Sequence, residues 1–227
     1  MSESWLPTEH GTESGALQRR VTRGLTWTII DAWGRQLLGL VVFVVLTRLL
    51  DPVDFGLVAL AAVFVAFVQI LVDQGLGDAL VQRRELTRAH IDTAFWVSLT
   101  TGAVLAVVGI VLAIPIAAFL GQPALQPLLQ VLSLTFVLTA LNSVQVALLR
   151  RELAFRSLAL RTLVAIAGGG AVGITLAYLD FGPWALVGQQ LGQAVLAVLV
   201  LWRTSPWRPT RQVSRTHFRE LFSFGVH

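Results

Sequence analysis

Residues Phe55–Val72 read FGLVALAAVFVAFVQILV, a stretch without a single charged side chain. A bilayer core is about 30 Å thick, so a spanning helix needs roughly 20 mostly apolar residues. Outward from this stretch, segments 25–47, 55–80, 93–119, 125–149, 158–179 and 182–202 all meet that length. Thr162–Leu179 and Phe181–Trp202 are also uncharged. Thr93–Leu149 is uncharged too, but Gly121-Gln122-Pro123-Ala124-Leu125-Gln126-Pro127 breaks it in the middle. With no water at hand, backbone N–H and C=O groups must pair inside their own segment, which selects helices. The sequence predicts an all-α, polytopic membrane protein with six transmembrane helices.

Composition agrees. The 227 residues are 55% hydrophobic and only 13% charged, with a mean hydropathy of +0.73. A soluble domain carries about 25% charged residues. The net charge of +4 raises nucleic acid as a partner, but the arginines sit at helix ends beside a membrane, so no nucleic acid is expected. All seventeen basic residues are Arg, which reads as a compositional habit rather than as chemistry. No cysteine is present, so disulfides and thiol chemistry are out. His10, His90, His217 and His227 lack metal-ligand spacing, and there is no HExxH or GxSxG motif. Gly168-Gly169-Gly170 lacks the Lys and Ser/Thr of a phosphate loop. No enzyme chemistry, cofactor or metal is expected.

The arginines set the expected topology. Arg19, Arg20 and Arg23 precede span one, and Arg83, Arg84 and Arg88 separate spans two and three. Arg150, Arg151, Arg156 and Arg161 lie between spans four and five, and Arg203, Arg208, Arg211, Arg215 and Arg219 follow span six. The alternate hinges hold only Arg48. Short Arg-rich loops stay cytoplasmic, which places the N-terminus and the loop after span six inside. Trp27, Trp96, Trp184 and Trp202 lie near span ends, at headgroup level. The expected organisation is a cytoplasmic tail over 1–24, a six-helix bundle over 25–203, and a cytoplasmic loop over 204–215. A seventh helix begins over 216–227 and is cut off, so the chain reads as the N-terminal part of a longer protein.

Two short echoes mark the hinges. Arg83-Arg84-Glu85-Leu86 returns as Arg150-Arg151-Glu152-Leu153, and Asp54-Phe55-Gly56 returns as Asp180-Phe181-Gly182. The second pair reads as a turn and helix start, with Asp at the cap and Gly where the chain needs freedom. Gly169/Gly173 and Gly188/Gly192 are spaced to let spans five and six approach closely. Pro115 is placed to bend span three, and Pro183 falls in the first turn of span six, where its missing N–H costs little.

Charges inside spans are expensive, about 2.5–3.5 kcal/mol each at the centre on insertion scales, so each needs a reason. Asp31 and Arg35 are four residues apart and share a helix face. Two readings stay open: a self-neutralising ion pair, or a cavity wall where Arg35 meets a phosphate or sugar group. Asp73 reads either as a helix-end residue beside Arg83 and Arg84 or as a proton- or cation-coupling site. Arg48 either pairs with Asp51 or Asp54 or ends a cationic path. Asn142, Gln145 and Gln69 fit a cavity lining or interhelical hydrogen bonding equally.

Longer runs carry a family resemblance. They are Asp54-Phe55-Gly56-Leu57-Val58-Ala59-Leu60 and Val72-Asp73-Gln74-Gly75-Leu76-Gly77-Asp78-Ala79-Leu80-Val81-Gln82-Arg83, followed by Thr93-Ala94-Phe95-Trp96. Ala147-Leu148-Leu149-Arg150-Arg151-Glu152-Leu153-Ala154-Phe155, Gly182-Pro183-Trp184-Ala185-Leu186-Val187 and Ser205-Pro206-Trp207-Arg208-Pro209 continue the order. From about residue 20 onward the chain resembles the Wzx-like polysaccharide biosynthesis flippases. These belong to the superfamily of multidrug, oligosaccharidyl-lipid and polysaccharide exporters. The resemblance implies two helical bundles facing each other across a central cleft, of which this chain supplies one. It also implies a multi-pass protein of a prokaryotic plasma (inner) membrane, moving a polyprenyl-pyrophosphate-linked oligosaccharide outward by alternating access, as in O-antigen or exopolysaccharide export. The implied partners are the lipid-linked oligosaccharide, membrane lipids, the missing C-terminal half, and polysaccharide polymerase and assembly proteins. Asp31, Arg35, Arg48 and Asp73 are the candidate substrate-binding positions. Alternative readings are an ion-coupled small-molecule exporter and a non-transporting scaffold of a polysaccharide assembly complex.

Overall fold

The structure, a computed structural model, describes residues 10–72, 88–152, 154–205 and 207–210. Its helices are α1 (His10–Leu49), α2 (Pro52–Val72), α3 (Arg88–Phe119), α4 (Leu125–Arg151), α5 (Phe155–Tyr178) and α6 (Trp184–Thr204). All six are long and apolar enough to cross a membrane. The chain is a multi-pass membrane protein whose described part is all-helical.

The boundaries differ from the sequence reading in three places. α1 begins at His10, well inside the expected 1–24 tail, while its apolar spanning part begins only at Asp31. A helix satisfies its own backbone, so it continues past the membrane edge where no proline stops it. Arg156, expected in the hinge before span five, lies inside α5 because Phe155 already starts that helix, and Arg161, grouped with the hinge arginines though within the expected span 158–179, lies inside it too. The expected loop over 204–215 begins one residue late, since Thr204 closes α6. Residues 216–227, where a seventh helix is expected, lie outside the described residues.

Sharp turns form the Arg-poor end. α3 closes with Gln122 N–H donating to the Ala117 carbonyl at 3.0 Å and Gly121 N–H to Ala118 at 3.1 Å, with Gly121 at φ 63°. α5 closes the same way, through Phe181 N–H to Leu176 and Asp180 N–H to Ala177, both 3.1 Å. This double bond satisfies orphan carbonyls, and it needs a left-handed residue just past the helix. Asp180 takes that place at φ 57°, which a short polar side chain tolerates. The two Asp-Phe-Gly echoes are therefore not equivalent. Asp54 and Gly56 lie within α2, not at its cap, whereas Asp180 and Gly182 (φ 55°) shape a turn. The echoes do meet in space, because a Cβ on Gly182 would stand 3.5 Å from Asp54 Oδ1.

Packing centres on α4, whose spanning stretch is 44% buried against 11% for α1 and α2. α3 and α6 flank α4, α5 packs on α6, and α1 packs on α5. Small residues permit the closest crossings. A Cβ on Gly169 would meet the Gln189 carbonyl and the Gln193 nitrogen, each at 2.7 Å, and one on Gly173 would meet Gln189 Cβ at 2.7 Å. Helices without a mutual hydrophobic driving force associate through such fits. Leu46, Val58, Ala117, Leu125, Leu128 and Ala185 join in a core at the Arg-poor end. A second core at the Arg-rich end gathers Phe95, Val144, Ala147 and Trp207. Large apolar side chains such as Phe67, Val111 and Phe119 face outward, as lipid contact requires.

Candidate functional site

Between the two cores the bundle turns polar. A cleft of about 340 Å³ opens among α4, α5 and α6, lined by Thr135, Thr139, Asn142, Arg161, Thr162, Gln190 and Gln193 with three alanines. Local sequence explains the arrangement. Thr135, Thr139 and Asn142 recur at helical spacing and fall on one face of α4, as do Gln190 and Gln193 on α6. Arg161 stands six residues into α5, about 9 Å along the axis from Phe155 at 1.5 Å per residue. Arg161 thus falls within Arg156–Tyr178, the stretch of α5 long and apolar enough to cross a membrane.

Its polar atoms are incompletely paired. Thr135 Oγ1 donates to the Leu132 carbonyl at 2.6 Å and Thr162 Oγ1 to Leu158 at 2.9 Å. Their hydrogens are committed to their own helices, leaving oxygen lone pairs as acceptors toward the cleft. Asn142 is 6% exposed, and its buried Oδ1 has no hydrogen-bond partner among the described residues. The same holds for the buried Arg161 Nε, and for both side-chain polar atoms of Gln145 one turn along α4. A buried orphan of this kind costs about 1–3 kcal/mol unless water or another polar group meets it. Arg161 lies within electrostatic range of Arg150 and of Asp31 on α1. The wall offers one guanidinium, three amides and several hydroxyl acceptors, a set suited to polyhydroxylated or anionic groups. It contains no nucleophile–base pair, and no His/Cys/Asp/Glu cluster able to hold a metal occurs among the described residues.

The four candidate positions fall in different places. Arg35 Nη2 and Asp31 Oδ2 form an ion pair at 2.9 Å on α1, with Arg35 56% and Asp31 22% exposed. Asp31 Oδ1 is buried and has no hydrogen-bond partner among the described residues. Arg48 is exposed in the last turn of α1, about 20 Å from Arg35 along the helix. The structure therefore brings Asp31 and Arg35 together and leaves Arg48 at the opposite end. Asp73 lies outside the described residues. Of the neutral residues, Asn142 lines the cleft, Gln145 is buried behind it, and Gln69 is half-buried near the Arg-rich end of α2. Sequence reasoning missed Arg161, Thr135, Thr139, Thr162, Gln190 and Gln193. The available signal was polar spacing within apolar helices, masked for Arg161 by its nearness to three loop arginines.

The Arg-rich rim is fastened by Ser205–Thr210. Trp207 is buried against Phe95, with ring centroids 5.6 Å apart. Arg208 donates to the Trp202 carbonyl at 2.6 Å and the Ser205 carbonyl at 2.7 Å, capping α6, and lies over the Trp202 ring. Trp96 Nε1 donates to the Thr210 carbonyl at 2.9 Å, and Thr210 Oγ1 donates to the buried Asp92 carboxylate. This segment ties α6 to α3 beside the cleft.

Comparison with known proteins agrees with this architecture. Residues 45–227 match the family described as polysaccharide biosynthesis protein. The chain is 31% identical over 210 residues to the succinoglycan biosynthesis transport protein ExoT of Rhizobium meliloti (strain 1021), covering 92% of this chain and 42% of that protein. It is 29% identical to the lipopolysaccharide biosynthesis protein WzxC of Escherichia coli (strain K12), covering 81% of this chain and 38% of that one. Identity to the teichuronic acid biosynthesis protein TuaB of Bacillus subtilis (strain 168) is 25%, covering 93% and 44%. The chain thus spans less than half the length of these relatives. No solved structure matches it significantly. With that family matched over most of its length and ExoT aligned over nearly all of it, the chain belongs to the Wzx-like polysaccharide biosynthesis protein family.

Proposed function

We propose that this chain forms the first helical bundle of a polysaccharide exporter, and that its polar cleft is one wall of the transport path. The cargo in this reading is a polyprenyl-pyrophosphate-linked oligosaccharide, flipped from the inner to the outer leaflet by alternating access for cell-surface polysaccharide synthesis. The single observation that carries it is a polar cleft among membrane-spanning-capable helices, with Asn142 and Arg161 atoms that have no partner among the described residues, set among amides and hydroxyls. A sugar head group cannot cross hydrocarbon alone, because stripping water from its hydroxyls costs several kcal/mol apiece. A polar wall replaces that water while the lipid tail stays in the bilayer. Transport and biosynthesis names among the relatives support the same cargo class.

The reading places the protein in a prokaryotic plasma membrane with the Arg-rich ends, and hence the N-terminus, in the cytoplasm. The second wall comes from the remainder of a full-length protein. The test is reconstitution of that full-length protein in proteoliposomes with a fluorescent lipid-linked oligosaccharide, followed by the rate at which the sugar becomes accessible on the far side. Wild-type protein accelerates flipping and Arg161→Ala slows it at least about tenfold, the loss of one charge-assisted contact. A wild-type rate equal to that of protein-free vesicles refutes the reading.

A further inference from the structure

Arg161 has the cleft on one side and α1 on the other. α1 meets the rest of the bundle chiefly through α5. The register of that contact is fixed: a Cβ on Gly34 would stand 2.7 Å from Leu163 Cδ2, and Gly170 faces Val42. Positions 31–35 of α1 therefore lie opposite positions 161–163 of α5. Asp31 has given one carboxylate oxygen to Arg35, and its other oxygen, Oδ1, is buried with no partner among the described residues. Arg161 likewise keeps a buried Nε without a partner. Arg150, the other charge acting on Arg161, is repulsive, and Asp31 is the acid that attracts it.

From these placements we propose that Asp31 is a positioning residue: its carboxylate, paired with Arg35 and opposite Arg161 without a direct bond to it, attracts the Arg161 guanidinium toward α1 and biases how far it reaches into the cleft. The inference deepens the transport reading, and its relevance to cargo rests on that reading. Of the two readings open for Arg35, the ion pair applies here: Arg35 meets no cargo, and it orients Asp31 across a helical turn. In this state the cleft presents its amides and hydroxyls together with a guanidinium under the pull of Asp31. An anionic group entering the cleft competes with Asp31 for Arg161, so occupancy is felt at α1.

The experiment reads cleft electrostatics directly, without transport. These 227 residues contain no cysteine, so Ala194→Cys in a full-length protein freed of other cysteines places one small thiol in the cleft wall. The measured quantity is the ratio of its reaction rates with an anionic and a cationic methanethiosulfonate reagent, normalised to a free thiol. Asp31→Asn removes the counter-charge and frees the guanidinium, so the ratio rises about tenfold, as expected for one uncompensated charge within a few ångströms of the thiol. Asp31→Glu keeps the wild-type ratio. On an Arg161→Gln background, Asp31→Asn changes the ratio less than about twofold, because the two residues act as one unit. If Asp31→Asn leaves the ratio unchanged, or shifts it equally with and without Arg161, the proposal is overturned. Arg161→Lys, which keeps the charge on a different donor geometry, supplies the same comparison should an Asp31 variant fail to reach the membrane. The stated pattern in a protein that does not flip lipid-linked sugar upholds the positioning role and refutes only the transport reading.

Discussion

Gly169→Ala is the most incisive perturbation of this bundle. Its Cβ would lie 2.7 Å from the Gln189 carbonyl oxygen and the Gln193 nitrogen, and 2.8 Å from Gln193 Cβ. Ordinary contacts begin near 3.4 Å, so the shortfall is about 0.7 Å against backbone atoms that cannot rotate away. α5 and α6 must separate, and a gap of 0.5–1 Å forfeits roughly a quarter to a half of each dispersion contact it opens. Overpacking of this kind costs about 1–3 kcal/mol. Alanine returns about 0.5–1 kcal/mol of that through its better helix propensity. At the middle of these ranges the net loss is about 1 kcal/mol, equivalent to a fall of roughly 2–4 °C in Tm for a cooperative unit of about this bundle's size. The assay is thermal unfolding of the full-length protein in detergent, followed by tryptophan fluorescence. Gly39→Ala and Gly56→Ala are the controls, because no atom lies within 4 Å of a Cβ at either position. Both should match or slightly exceed the wild type. A Gly169→Ala protein within about 1 °C of wild type, or a Gly39→Ala protein that falls as far, refutes the packing argument. The effect reaches function as well, since Gln193 both abuts Gly169 and lines the cleft.

Three further outcomes are expected. Asn142→Leu removes a buried amide with an orphaned oxygen, so it should raise Tm, by about 1 kcal/mol of stability, while slowing flipping in proteoliposomes; a lower Tm argues that unseen partners satisfy the amide. Trp207→Ala empties the aromatic core of Phe95, Trp96 and Trp202, and should cost about 3 kcal/mol in denaturant unfolding; a cost below about 1 kcal/mol would show that Ser205–Thr210 does not fasten the rim. Gly121→Ala forces a Cβ into the left-handed region and should destabilise by about 1 kcal/mol, whereas Asp180→Gly should be neutral or stabilising at the equivalent place in α5; equal Tm values for both variants count against strain at these turns.

Much of the fold was legible because hydropathy is a local property. Six apolar stretches, their turn residues and the close-approach glycines could be read from spacing alone, since a bilayer imposes length and internal hydrogen bonding on every span independently. The short-range ion pair of Asp31 and Arg35 was equally readable, being set by helical pitch. Arg161 was not. Counting along the chain grouped it with the hinge arginines although span five runs from residue 158, and only the packing of α5 beside α4 and α6 puts it on the cleft wall. The equivalence assumed for the two Asp-Phe-Gly runs also failed, because a tripeptide does not encode whether its Asp sits inside a helix or past the end of one.

By itself, the sequence determined that this is a helical membrane protein, where its spans run and to which family it belongs, because each of these depends on residues near one another in the chain. Only the tertiary structure decided that α4 is the central helix, that polar residues of α4, α5 and α6 converge on one cleft, and that the Asp31 stretch of α1 packs beside the Arg161 stretch of α5. Those facts depend on the rotation of each helix about its axis. That rotation is set by interlocking side chains and glycine contacts between segments distant in sequence, and no single segment contains it.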